Sequence, residues 1–144
     1  MVHSLVAGIL VDQDRILLGQ RAPNRAFYPN VWDVFGGHIE PGEQPEQTLI
    51  RELQEELAIT PLAWTELELI QETVAPQEDA PSYDVIGYFY HVTAWKGAPV
   101  NRQTDEHSTI QWFSYAEAIK LDLAHPAYPR LFAECLQSIK DSKI

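Results

Sequence analysis

Residues 36–59 read GGHIEPGEQPEQTLIRELQEELAI, and no other stretch constrains the chain as tightly. Pro45 suits the first turn of a helix, where its missing N–H costs nothing, and Glu43 and Glu46 lie where acidic groups favour a helix N-terminus. At about 100° per residue, Leu49, Leu53 and Leu57 stack with Ile50 on one face, while Glu52, Glu55 and Glu56 gather on an adjoining flank. A helix over 45–57 is therefore expected to pack with one side and present carboxylates on another. Solubility alone does not require three glutamates so close together, because like charges at that spacing repel. Gly36, Gly37 and Gly42 free the preceding backbone to turn tightly and to approach whatever the carboxylates hold, so a backbone carbonyl could join them as an oxygen ligand.

The remaining sequence supplies what such a helix would pack against. Apolar and β-branched stretches at 5–11 and 15–19 flank Asp12, Gln13 and Asp14 and predict a hairpin. Residues 20–37 contain two prolines and two asparagines and predict mostly loop, with a short strand over 32–35 entering the glycine pair. Further strands are expected at 66–74, 85–95 and 109–113, separated by the acidic loop APQEDAPS and the polar loop KGAPVNRQTDEH. Helical spacing appears at 115–121 and at 127–140, where Leu131, Cys135, Leu136 and Ile139 share one side. No internal repeat is present. With 144 residues, 45% of them hydrophobic, the chain suits a single compact domain over 1–144.

Charge narrows the partners. A net charge of −11, from 10 basic against 21 acidic side chains, leaves no basic stripe for the phosphates of a long nucleic acid. A small phosphorylated ligand is compatible with that charge when divalent cations lie between the carboxylates and the phosphates. No stretch approaches the ~20 apolar residues of a membrane span, and the run at 5–11 lacks the basic leader and cleavage site of a signal peptide. The single cysteine, Cys135, forms no intramolecular disulfide, so the expected compartment is the cytoplasm and Cys135 itself is expected to be core packing.

Gly37, Glu43, Arg51-Glu52-Leu53, Glu55-Glu56 and Ile59 stand at the spacing G-x5-E-x7-R-E-U-x-E-E-x-G-U, where U is aliphatic. This resembles the Nudix box, and the MutT-like members of that family are nearest in size. The one departure is Ala58, where the pattern has glycine; alanine in a left-handed conformation there costs roughly 1 kcal/mol but removes no ligand. The resemblance implies an α/β/α sandwich around a mixed sheet. By position it implies Glu52, Glu55 and Glu56 as ligands of Mg²⁺ or Mn²⁺, the Gly36 carbonyl as a further oxygen, and Gly37, Glu43 and Arg51 as supports of the box.

The implied reaction is hydrolysis of a nucleoside diphosphate linked to another group. A nucleoside triphosphate, oxidised or not, is expected to yield the monophosphate and pyrophosphate; ADP-ribose, a nucleotide sugar or a dinucleoside polyphosphate are alternatives, as is a Nudix domain that binds nucleotide without turnover. Glu52 and Glu106 both stand as candidates for the general base. Arg21 occupies a region where MutT-like relatives place a phosphate-binding arginine, with Arg25 a second possibility. Phe27, Tyr28, Trp32, Tyr83 and Tyr88 could stack on a base, although most are expected in the core. Asp33 could face the base, whereas His38 and His125 are expected to ligate nothing.

Overall fold

The computed structural model describes residues 2–25, 28–76 and 78–142. Seven strands and three helices follow in order: β1 (Val2–Asp12), β2 (Arg15–Arg21), β3 (Trp32–Asp33), β4 (Phe35–His38), α1 (Pro45–Leu57), β5 (Thr60–Val74), β6 (Tyr83–Lys96), β7 (His107–Ser114), α2 (Tyr115–Ala118) and α3 (Tyr128–Ser142). The sheet runs β3-β2-β1-β6-β5, with β4 also pairing β1 and β7 pairing β2. It is mixed, because β1 lies parallel to β6 and antiparallel to β2 and β4. Gln13 and Asp14, both at positive φ, join β1 to β2 as a two-residue turn.

Alternation along β1 builds two cores. Val6 and Leu10 face α1, joining Leu17, Phe35, Leu49, Leu53, Leu57 and Val92, whereas Ile9 and Val11 face α3 and join Leu131, Phe132 and Cys135. The fold is thus an α/β sandwich with a helix on each face of the sheet. Leu49, Leu53 and Leu57 are fully buried, and each such side chain stabilises the fold by about 1.5–3 kcal/mol. Cys135 is buried as well, as expected, and burial pushes its thiol pKa up to about 12.

Three expectations need correction. The strand predicted at 66–74 begins at Thr60, directly after the helix; Pro61 and the register shifts between Pro61 and Trp64 break the alternation and hide its first third. The expected strand at 32–35 is two strands, β3 on β2 and β4 on β1, and β4 continues through the glycine pair. Helix α2 stops after one turn, because the chain is drawn into a bridge with Trp32: Trp32 N donates to Asp122 O (2.8 Å) and Ala124 N to Trp32 O (2.9 Å).

Candidate active site

The box loop and α1 are held by one cation. Arg51 donates to both oxygens of Glu43 (Nε–Oε2 2.7 Å, Nη2–Oε1 3.0 Å), to Glu52 Oε1 (2.9 Å) and to the His38 carbonyl (3.1 Å), with Glu55 at 3.4 Å. Glu43 also accepts from Glu40 N (3.0 Å) and Thr48 Oγ1 (2.9 Å), so the loop closes onto the first turn of the helix. These bonds hold the Glu43 carboxyl pKa down at about 2, with the Arg51 hydrogen bond the main cause.

Gly36 and Gly37 do not turn the chain; they lie in β4, and of the three box glycines only Gly42 has a positive φ (85°). Their missing side chains serve close approach. A Cβ on Gly36 would lie 1.8 Å from the Val6 carbonyl oxygen, and one on Gly37 would lie 2.4 Å from Glu52 Oε1. Without those two glycines, neither β1 nor the Glu52 carboxylate could sit where they do.

The three helix glutamates differ sharply in environment. Glu55 is exposed, Glu52 is largely enclosed beneath Gly37 with its pKa raised by burial against the pull of Arg51, and Glu56 is buried at 4% exposure. Burial, reinforced by Glu52 and Glu106, pushes the Glu56 pKa up to about 9, opposed by a backbone hydrogen bond from Gly36. Its Oε2 has no hydrogen-bond partner among the described residues. Glu106 arrives beside it because the loop before β7 docks on the C-terminus of α1, with Val100 N donating to Leu57 O and Arg102 N to Glu56 O (both 3.0 Å). Donor atoms of Glu56, Glu106 and His107 all lie within 4.8 Å of one another.

His107 is the site residue that the sequence reading missed. The expected strand started two residues too late, and the register shift between Gln20 and Arg21 reverses the alternation of β7, turning His107 toward Phe35 on the α1 side. Burial, with Arg25 and Arg21 nearby, lowers its pKa to about 4 and keeps the ring neutral.

The two candidate arginines divide. Arg25 Nη1 lies 3.6 Å from Glu106, whereas Arg21 donates through Nε to the Tyr28 carbonyl (3.1 Å) and lies 3.7 Å from Asp33. Asp33 accepts from the Tyr128 hydroxyl at 2.5 Å, and burial raises its pKa even so. Trp32 packs edge-on against Phe113 in the core, Tyr88 packs against the α1-side cluster, Tyr83 meets His3, and Tyr28 is exposed. Phe27 lies outside the described residues. His38 is exposed on β4, and His125 pairs with Glu72, away from the glutamate cluster.

The NUDIX domain family model matches residues 1–135. The chain belongs to the Nudix family. Among similar proteins are the CTP pyrophosphohydrolase of Escherichia coli (strain K12), 33% identical over 90% of this chain and 88% of the relative, and the 8-oxo-dGTP diphosphatase of Proteus vulgaris, 37% identical over 64% and 77%. A crystal structure of a MutT NUDIX hydrolase from Burkholderia pseudomallei superposes with a TM-score of 0.70 and 26% identity, covering 93% of this chain and 97% of the other. The chain is accordingly a Nudix hydrolase with the family's α/β fold.

Nudix hydrolases use divalent metals, and the residues here fit one. A buried carboxylate with one oxygen unpartnered among the described residues, and with a second carboxylate beside it, is costly unless a cation or proton compensates it.

Proposed function

We propose that this hydrolase converts nucleoside triphosphates to nucleoside monophosphate and pyrophosphate in the cleft between α1, the start of β7 and the end of β2. The observation that carries the reading is buried Glu56, with one oxygen unpartnered among the described residues and its carboxylate beside Glu106, and with Glu52 and Glu55 on the same helix. Glu52, Glu55 and Glu56 would hold Mg²⁺ or Mn²⁺, with the Gly36 carbonyl as a further oxygen. Such an ion supplies charge neutralisation at the phosphates and a lowered pKa for bound water.

The chain's own groups divide the remaining work. Glu106 is the better general base: Glu52 is committed to Arg51 at 2.9 Å, whereas Glu106 is partly open to water and has Arg25 at 3.6 Å. Glu106 takes a proton from the attacking water, the water oxygen bonds to phosphorus, and the bond to the bridging oxygen breaks with pyrophosphate as leaving group. Arg25, 3.6 Å from Glu106, would meet phosphate oxygens. Arg21 would reach substrate only by sharing its contacts with Asp33 and Tyr28. Gly37, Glu43 and Arg51 act through geometry, fixing the loop and the Glu52 carboxylate.

A triphosphate is favoured because relatives named for CTP and 8-oxo-dGTP cover this chain at 33% and 37% identity. Small nucleotides also fit a chain of net charge −11 better than long nucleic acid does. Among the described residues no helix is long and apolar enough to cross a membrane, and the lone thiol Cys135 suits the cytoplasm. The test is a panel of canonical and oxidised triphosphates, ADP-ribose, nucleotide sugars and dinucleoside polyphosphates with Mg²⁺ or Mn²⁺. Pyrophosphate from a triphosphate at the highest kcat/KM supports the reading; a sugar phosphate from a diphosphate-linked compound at much higher kcat/KM overturns it.

A further inference from the structure

Glu52, Glu55 and Glu56 of α1 offer only oxygen donors, but Glu56 also has His107 beside it. We propose that His107 contributes an imidazole nitrogen to the cation that Glu56 holds, beside the general base Glu106, so that this cleft favours Mn²⁺ and later transition ions over Mg²⁺. The proposal rests on the hydrolase reading above and specifies its metal chemistry.

Three observations support it. First, one ring nitrogen of His107 and one carboxylate oxygen each of Glu56 and Glu106 fall within 4.8 Å of one another. Opposed donors around an ion with bonds of about 2.1 Å are about 4.2 Å apart, so small side-chain rotations bring the set to bonding distance. Second, Glu56 is 4% exposed and its Oε2 has no hydrogen-bond partner among the described residues, a deficit that a bound cation would compensate.

Third, the His107 ring is pre-oriented. It is 6% exposed and sits against the Phe35 ring at 5.2 Å between centroids. Gly19 makes the space on the β2 side: a Cβ there would lie 2.7 Å from His107 Cδ2 and 2.9 Å from Phe35 Cε1. The His107 backbone is fixed in turn, its N–H donating to Gln103 O (3.0 Å) and its carbonyl accepting from Asn101 Nδ2 (2.8 Å). A ring held this way presents its nitrogen without losing much side-chain entropy on binding.

The chemical consequence follows from donor softness. Mg²⁺ takes oxygen donors and sheds water reluctantly, whereas imidazole nitrogen is a better donor to first-row transition ions, with affinity rising from Mn²⁺ through Co²⁺. Replacing one oxygen by nitrogen therefore shifts selectivity without changing the carboxylates that anchor the ion.

The experiment uses Mn²⁺ alone, without nucleotide. Pulsed electron paramagnetic resonance of Mn²⁺ bound to protein labelled with ¹⁵N-histidine should show nitrogen coupling, and His107→Gln should abolish it. Calorimetric titration should find the ratio of Mn²⁺ to Mg²⁺ affinity falling about tenfold or more in His107→Gln, with Mg²⁺ affinity nearly unchanged. Absence of nitrogen coupling in the wild-type protein overturns the proposal, as does coupling that persists in the variant or an unchanged affinity ratio. Should His107→Gln fail to fold, the wild-type spectrum still decides, since His107 is the histidine grouped with Glu56 and Glu106 among the described residues. Nitrogen coupling with no pyrophosphate released from any triphosphate would leave this proposal standing and remove the triphosphate reading instead.

Discussion

Glu56 combines burial, a missing hydrogen-bond partner and two neighbouring carboxylates in one side chain, so it links stability to function. Its folded pKa of about 9 lies far above the ordinary value of 4.5. A carboxyl raised in this way contributes stability that is fully present below about pH 4.5 and lost as pH rises through about 9, because the unfolded chain ionises first. In chelator, therefore, Glu56→Gln should melt higher than wild type at pH 8.5 and show little or no gain at pH 5. Excess Mn²⁺ should reverse the order, since the variant loses an anionic donor. Equal melting curves at pH 8.5 in chelator would show that Glu56 is not strained by burial. Turnover should follow the opposite course: Glu55→Gln and Glu56→Gln should each lower kcat by at least about 10²-fold at saturating metal, comparable to removing a group that stabilises transition-state charge. Near-wild-type kcat in either variant removes that residue from the site.

At the scale of single elements, α1 shows how far sequence reasoning carries. Pro45 at the first turn, three leucines at four-residue spacing and the flank of glutamates are local signals, and the helix spans Pro45–Leu57 as expected. Signals that depend on a distant partner were not legible. His107 is hidden by a register shift defined only once β2 pairs with β7, and the tie of Arg21 to Asp33 requires β3 to lie against β2. The glycine pair was expected to turn and to approach what the carboxylates hold; instead it lies in β4, Gly36 against the Val6 carbonyl and Gly37 against the Glu52 carboxylate, neighbours that no local signal reveals. Ala58 offers a test of the helix end. It adopts φ 60° and ψ 32°, its N–H capping Gln54 O at 3.1 Å, and it is exposed. Ala58→Gly should raise stability by roughly 0.5–1 kcal/mol, measured by urea unfolding, with kcat unchanged. A loss of stability would mean that the left-handed cap is not the conformation adopted in solution.

Across the whole molecule, two buried histidines set the acid side of stability. His91 lies within the sheet with its Nδ1 unpartnered among the described residues and its pKa lowered by burial, and His107 is lowered to about 4. Imidazoles held neutral in the fold contribute stability that is present above about pH 6.5 and lost as pH falls toward their folded values. Glu56 acts in the opposite direction over the same range, so the test is a comparison: between pH 7 and pH 5 the urea midpoint of wild type should fall further, or rise less, than that of His91→Gln, and parallel profiles would contradict the burial of the His91 ring. The same sheet carries α1 on one face and α3 on the other, so the chemistry depends on both cores staying closed. Leu53→Ala, at a fully buried position beneath the box, should cost about 2–5 kcal/mol in unfolding and reduce turnover through loss of folded protein. The central claim, that the glutamate cleft hydrolyses a nucleoside triphosphate between its first and second phosphates, is tested most directly by phosphorus NMR of a triphosphate incubated with the protein and Mn²⁺ or Mg²⁺. Stoichiometric monophosphate and pyrophosphate, abolished by chelator and by Glu56→Gln, is the predicted result. Orthophosphate with a nucleoside diphosphate, or equal turnover in chelator, would contradict it.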